Sequence, residues 1–499
     1  MKQADFLQEL KEIDLLKQSL ALLEWDSSTG MPTAANTYRS EVAGFLSGKC
    51  FEKETGPIIK EAIKTFSLDS DQLSEVSQAA LNIVKEEYEK NQAIPNELMV
   101  KRAKANSRAN AAWQRARKEN NFSLFADALA DNIQITKELI AYWKKDEKTA
   151  YDVLLNNYEP DMTTAVLDDV FSQLADGITK IRKTLKNKGT EPRTDFLKRY
   201  VAVSQQKKFI YPLLAELGYD FTRGRIDDTI HPFALGINHN DVRLTNRWNE
   251  NDFIQGVLGL VHEAGHGTYE QNIAQKYEYT PVHKGASMGI HESQSLFNEL
   301  VIASRRAFWQ KQYPILQTYT ADTFKDIPFA DFYRSLKHSK ASLIRIEADS
   351  LTYVLHIIIR YEIEKLIFNG EVEVADLPQI WNDKYEEYLG IRPTNDLEGI
   401  LQDVHWSQGD FGYFPSYALG YMYACQLYYA MQEEINVDGV LASSDYSPIT
   451  NWLIKHIHQY GASKKPNELI LAATGEKLNP KYLLAYLEEI YFDVYQVEK

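Results

Sequence analysis

Two histidines four residues apart, with a glutamate directly after the first, carry the clearest chemistry in this sequence: His262-Glu263-Ala264-Gly265-His266. Residues four apart lie on one face of a helix, so both imidazoles can grip one ion. Glu263 is rotated about 100° from His262; it can flank that ion without ligating it and take a proton from water. Neutral imidazoles with a carboxylate and one open position suit zinc, which lowers the pKa of a water to about 7. A chain of this length and histidine content contains the pentapeptide by accident about once or twice in a hundred. Its setting inside an amphipathic segment favours a site over an accident.

A catalytic zinc also needs a third protein ligand. Glu270, Glu278, His283, His291, Glu292 and Glu299 are near enough in sequence to supply it. Glu270 sits one turn past His266, a place suited to supporting that histidine from behind. Glu292 follows the glycine-containing HKGASMGI and opens a second helical run, ESQSLFNEL. A carboxylate from a second helix crossing the first completes the geometry, so Glu292 is the first choice and Glu299 the next.

The element that must carry the histidines reads NDFIQGVLGLVHEAGHGTYEQN from Asn251, a helix begun by an asparagine cap. Ile254, Val257, Leu258 and Val261 are expected to form its buried stripe. Gly265 and Gly267 each cost a helix about 1 kcal/mol against alanine, so something must approach the backbone there, a sheet or a substrate. Just upstream, Arg225 to Trp248 alternates in short runs with turn residues at Gly236 and Asn238–Asn240, which predicts a small antiparallel β insertion at about 222–248. None of the 11 histidines precedes His231, and six fall between His231 and His291, beside this β region.

Elsewhere helical periodicity dominates. Phe6, Leu10, Ile13, Leu16 and Leu20 repeat at three- and four-residue steps, and further runs fill roughly 36–65, 71–91, 95–119, 122–147 and 163–187. After about 290 the pattern resumes over 291–313, 329–369, 376–389, 411–433, 446–460 and 480–496. No low-complexity linker divides the chain, so 1–499 reads as one mainly α domain with a minor sheet.

Bulk properties narrow the class. A net charge of −15 argues against a general nucleic-acid binder. The most apolar segment, Leu351 to Phe368, is interrupted by His356, Arg360, Glu362, Glu364 and Lys365, unlike the roughly 20 apolar residues of a bilayer span. Two cysteines, Cys50 and Cys425, cannot build a disulfide framework, and the N-terminus lacks the apolar core of a signal peptide. A soluble, cytoplasmic protein is expected.

Ordered blocks along the chain resemble the carboxypeptidase Taq family of metallocarboxypeptidases (M32). They are WDSSTGMP at Trp25–Pro32, YEPDMT at Tyr158–Thr163, His231-Pro232-Phe233, Asp241-x-Arg243-x-Thr245, the HEAGH segment and His291-Glu292-Ser293-Gln294. Ile344-Arg345-x-x-Ala348-Asp349 and Gly399-x-x-Gln402-Asp403-x-His405-Trp406 follow. The resemblance implies Glu292 as third ligand, with His262 and His266, of one zinc per chain that cobalt can replace. It implies a mostly helical, two-lobed fold around a long groove, like neurolysin and angiotensin-converting enzyme. It also implies removal of single residues from peptides with a free C-terminus, broad side-chain tolerance except for proline, and a homodimer.

Peptide hydrolysis generates an oxyanion that needs donors besides the metal. By similarity to the converting-enzyme peptidases, Tyr413 is the first choice, His405 its partner, and Tyr417 a further candidate; the alternative is that these tyrosines only pack. An arginine fork suits the substrate's terminal carboxylate. Arg345 is preferred and Arg243 second, and either could instead form a structural ion pair, Arg345 with Asp349. His231 and Phe233 would wall off the groove's end. Two rivals remain: a neurolysin-like oligopeptidase cleaving internally, and a non-catalytic helical protein stabilised by metal. Glu263 speaks against the latter, since a closed structural site has no use for a base.

Overall fold

Where apolar residues recur at three- and four-residue steps, helices form: a computed structural model describes residues 1–68 and 73–498, most of them helical. The first run is the helix Gln3–Thr29, which buries Phe6, Leu10 and Ile13. The 71–91 run is a helix from Glu75 to Asn91; residues 71 and 72 lie outside the described residues. Two expected runs are divided. The 36–65 run splits into Asn36–Glu54 and Pro57–Phe66, the proline opening the second helix where its missing N–H is harmless. The 329–369 run splits into Phe329–Ser335 and Tyr353–Asn369, with a single 3₁₀ turn, Arg345–Glu347, in the segment between. Asp349 marks the restart, accepting from the N–H groups of Leu351 and Thr352 and from the Thr352 hydroxyl at 2.9–3.1 Å. The helix Val203–Glu216, with Pro212 inside it, lies outside every expected run.

The chain divides into two compact units. The first comprises Met1–Gln92, Asp195–Phe329 and Leu427–Lys477; the second comprises Ala93–Thr194, Ala330–Gln426 and Leu478–Lys499. No helix of the described residues is long and apolar enough to cross a membrane.

The first unit holds a three-stranded sheet, β1 (Ile226–Asp228), β2 (Ala234–Asn238) and β3 (Asp241–Asn246), in the order β1-β3-β2. The expected antiparallel pair is β2–β3; β1 joins β3 in parallel, so the sheet is mixed. Gly236 lies in β2 beside a bulge rather than at a turn. The chain reverses instead at His239-Asn240, where the Asn238 side chain accepts from Asn240 N–H at 2.9 Å. Val242 and Leu244 of β3 are buried.

In the second unit the helix Tyr353–Asn369 is buried nearly all round, including His356, Arg360 and Glu364 at 0% exposure. Charges in such a place survive only when paired or hydrogen-bonded: Arg360 pairs with Asp403, and Glu364, which burial pushes up to about 7, accepts from neutral donors.

Candidate active site

His262, Glu263 and His266 lie on the helix Phe253–Gln271, whose first residue is preceded by Asp252 rather than capped by the Asn251 side chain. The buried side is Phe253, Gly256, Val257, Leu260, Val261 and Ala264. Ile254 and Leu258, expected in that stripe, are only half-buried, as are His262, His266 and Glu270. These five recur every fourth residue, so they share one strip that the fold leaves partly open. The glycines explain how tightly the other sides are packed. A Cβ on Gly265 would lie 2.3 Å from the Gln294 carbonyl oxygen, and one on Gly267 would lie 2.9 Å from a Leu244 methyl of β3. Close approach is thus made by a second helix at Gly265 and by the sheet at Gly267.

That second helix, Met288–Leu296, starts where the Ser287 hydroxyl accepts from Ile290 N–H at 2.9 Å. It continues through a π-helical stretch, Phe297–Val301, a wide turn of the kind found at functional sites. Glu292 Oε2 lies 3.5 Å from His266 Nε2, and Glu292 Oε1 lies 3.9 Å from His262 Nε2. Donor atoms of His262, His266 and Glu292 all fall within 4.8 Å of one another.

The far nitrogens of both imidazoles are engaged. His262 Nδ1 donates to Glu299 Oε2 at 2.8 Å. His291 Nε2 donates to Glu270 Oε1 at 2.8 Å, which leaves His291 Nδ1 to accept from His266 Nδ1 at 2.6 Å. Glu270 thereby sets the tautomer of His291, and His291 that of His266. Each of His262 and His266 then turns its Nε2 toward Glu292. Two imidazole nitrogens, each backed by a hydrogen-bonded partner, and a carboxylate fit a divalent ion.

Electrostatics favours the same arrangement. Burial, helped by the Glu292 and Glu299 carboxylates and opposed by His262, pushes the Glu263 carboxyl up to about 7. Burial opposes the His262 imidazolium, but Glu292, Glu299 and Glu263 outweigh it and push its pKa up to about 10. Burial and the neighbouring His291 hold His266 down at about 4. One cation is therefore wanted among three carboxylates, and an ion bound there displaces the His262 proton.

The second unit gathers Arg345, His405, Tyr413 and Tyr417 into one cluster. Arg345 Nε donates to Asp403 Oδ1 at 2.9 Å, and its guanidinium stands over the Tyr417 ring at 5.0 Å. The structural pairing considered for it, with Asp349, does not occur, because no helical turn links the two positions. Asp403 gives its other oxygen to Arg360 Nε at 2.7 Å, and Gln402 Oε1 accepts from Arg345 N–H and from Arg360, both at 2.8 Å. His405 Nε2 pairs with the Tyr417 hydroxyl at 3.2 Å, while the Tyr413 ring lies 5.5 Å from the His405 ring. Burial holds His405 down at about 4, so it is neutral at pH 7.

The chain matches the model of the carboxypeptidase Taq (M32) metallopeptidases over residues 5–491. This chain belongs to that family. It is 46% identical to carboxypeptidase 1 of Bacillus subtilis (strain 168) over 98% of each chain, and 34% identical to thermostable carboxypeptidase 1 of Thermus thermophilus, again over 98% of each. The M32 carboxypeptidase structure from Deinococcus radiodurans R1 superposes with a TM-score of 0.94 at 31% identity, covering 98% of this chain and 99% of that one. As an M32 metallopeptidase the chain is a peptide-cleaving enzyme of the carboxypeptidase class, and the family implies a divalent metal.

Within this M32 chain the remaining candidates stand elsewhere. Arg243 forms a two-point pair with Asp241 at 2.7 Å and lies 5.5 Å from the Trp25 ring. Phe233 meets Trp25 edge-on at 5.6 Å, and His231 is exposed in the bend before β2. Glu278 and His283 line a cavity with His239 and Glu270. Sequence reasoning treated Glu299 and His291 as rival ligands, whereas both back the imidazoles. Their signal was present: Glu299 is seven residues, two helical turns, beyond Glu292, and His291 directly precedes it.

Proposed function

We propose that this chain is a zinc-dependent metallocarboxypeptidase that removes single C-terminal residues of broad character, proline excepted. The supporting observation is the convergence of His262 Nε2, His266 Nε2 and Glu292 beside Glu263, a carboxyl poised at about 7. Tetrahedral zinc ligands at about 2.1 Å stand roughly 3.4 Å apart, near the 3.5 Å between His266 and Glu292. A bound zinc supplies Lewis acidity and lowers the pKa of water in its open position.

Everything else falls to the chain's own side chains. Glu263 accepts the proton of the attacking water, the step a carboxylate beside the ion is placed to perform. Tyr413 and His405, with Tyr417 as partner of the latter, donate to the oxygen that gains charge. Arg345 holds the terminal carboxylate; Asp403 takes its Nε and so orients the guanidinium. Arg243, His231 and Phe233 help to bound the substrate's end. We read the whole chain as one catalytic domain, acting as the family's homodimer in the cytoplasm, where the free Cys50 and Cys425 suit a reducing milieu. Cobalt is expected to replace zinc.

The test is Glu263→Gln assayed on N-blocked peptides with a free and with an amidated C-terminus. Zinc should stay stoichiometric while turnover falls by roughly 10²- to 10⁴-fold. Undiminished turnover refutes the base. Equal cleavage of the amidated peptide by the parent enzyme refutes the exopeptidase reading in favour of an oligopeptidase.

A further inference from the structure

Glu364 has no part in the chemistry proposed above, yet it is fully buried on the helix Tyr353–Asn369. A buried carboxylate is costly unless donors satisfy it, and three do. Oε1 accepts from the Trp406 indole Nε1 at 2.7 Å. Oε2 accepts from the backbone N–H of Gly412 at 2.9 Å and from the Tyr151 hydroxyl at 2.5 Å.

Two of those donors have telling positions. Trp406 directly follows His405, and Gly412 directly precedes Tyr413. The segment between them makes one helical turn, His405–Gln408, and then bends at Gly409 and Gly412, both at positive φ (76° and 89°). Its leading end has other anchors: Asn132 Nδ2 donates to the carbonyls of Trp406 and Ser407 at 3.1 and 3.2 Å, and Asn106 Nδ2 to that of Gln408 at 2.7 Å. At the trailing end the Gly412 N–H goes to Glu364. That end is also packed without slack, because a Cβ on Gly412 would lie 2.8 Å from the Leu154 carbonyl carbon. A single carboxylate thus spans the loop, one oxygen for each end.

We propose that Glu364 is a positioning residue for catalysis, its two oxygens setting the spacing between His405 and Tyr413 through Trp406 and Gly412. The inference rests on the reading of His405 and Tyr413 as donors to the oxyanion. An oxyanion donor must stand within a few tenths of an ångström of its productive place, and a displacement of about 1 Å can cost on the order of a hundredfold in rate. Glutamine at 364 keeps the size but offers one accepting oxygen and a donating NH2, so it cannot accept from both ends.

The experiment compares zinc-loaded parent, Glu364→Gln, Glu364→Asp and Trp406→Phe on an N-blocked tripeptide, with Tyr413→Phe and His405→Gln alongside. Trp406→Phe removes one tether and leaves the carboxylate in place, so it tests the same link should Glu364→Gln fold poorly. For Glu364→Gln, kcat should fall roughly 10- to 100-fold with KM and zinc content near the parent's, and hydrogen exchange at the Gly412 amide should quicken. Trp406→Phe should lower kcat in the same sense, as should Glu364→Asp, whose side chain is one methylene too short to hold both ends. Parent-like kcat in both Glu364→Gln and Trp406→Phe, or a loss confined to KM, overturns the positioning role. If Tyr413→Phe and His405→Gln themselves keep full turnover, the oxyanion reading fails instead.

Discussion

Replacing Gly265 by alanine sets two effects of opposite sign against each other. In an open helix interior the change stabilises by about 1 kcal/mol, because alanine loses less backbone freedom on folding. Gly265 is not open: its Cβ would lie 2.3 Å from the Gln294 carbonyl oxygen and 2.6 Å from the Ser295 Cα, where ordinary contact begins at 3.4 Å. The obstacle is backbone, which no rotamer change can clear. The helices Phe253–Gln271 and Met288–Leu296 must therefore separate by about 1 Å, a distortion of the kind that costs roughly 1–3 kcal/mol in a packed interior. Packing wins, and Gly265→Ala should be net destabilising. Because Glu292 rides on the second helix, it recedes from His262 and His266, while metal sites tolerate only about ±0.2 Å in ligand distance. Zinc affinity should drop at least about tenfold, comparable with the loss of a partner behind a ligand. Gly259 on the same helix is the internal control: nothing lies within 4 Å of its Cβ position, so Gly259→Ala should stabilise slightly and leave zinc affinity alone. Thermal unfolding with and without zinc, and competition against a chelator, read both effects. A Gly265→Ala protein as stable and as tight for zinc as Gly259→Ala refutes the reasoning.

Three other outcomes are expected. Glu299→Gln, which weakens the acceptor at His262 Nδ1, should cost about 10- to 100-fold in zinc affinity, measured by the same competition; unchanged affinity removes Glu299 from the centre's support. Asp403→Asn leaves the buried guanidiniums of Arg345 and Arg360 without their counter-ion and should cost about 3–5 kcal/mol by denaturant unfolding. The parent's pH dependence carries the same signature. Burial works against the Asp403 carboxylate, yet Arg345 and Arg360 hold it well below the usual carboxylate range. A depressed acid stabilises the fold above its unfolded pKa of about 4 and loses that stability as pH falls through the folded value. Unfolding free energies from pH 7 down to 3 should therefore decline less steeply in Asp403→Asn than in the parent, and equal acid slopes count against the pair.

Much of the centre was legible because helices convert spacing into direction. His262 and His266 had to share a face at four residues, and Glu299 had to follow Glu292 around two turns. Gly265 and Gly267 pointed to close neighbours through their cost in a helix, although Gly259 on the same helix carries that cost with none. Less was legible wherever side chains compete with the backbone. Asp349 and Pro57 break runs whose apolar periodicity continues past them, and the parallel strand β1 carries no alternation that distinguishes it from a hairpin partner.

Composition and spacing alone determined a mainly helical chain with two histidines one turn apart on a helix beside Glu263, because amphipathic period and residue interval are local properties of consecutive residues. Tertiary structure alone decided which nearby acids and histidines converge and which stand behind them. Glu270 reaches His266 only through His291, and Asp403 rather than Asp349 takes Arg345. Such choices depend on segments distant in sequence meeting at hydrogen-bonding distance. Periodicity cannot encode that, since it records which way a side chain faces and not what waits for it there.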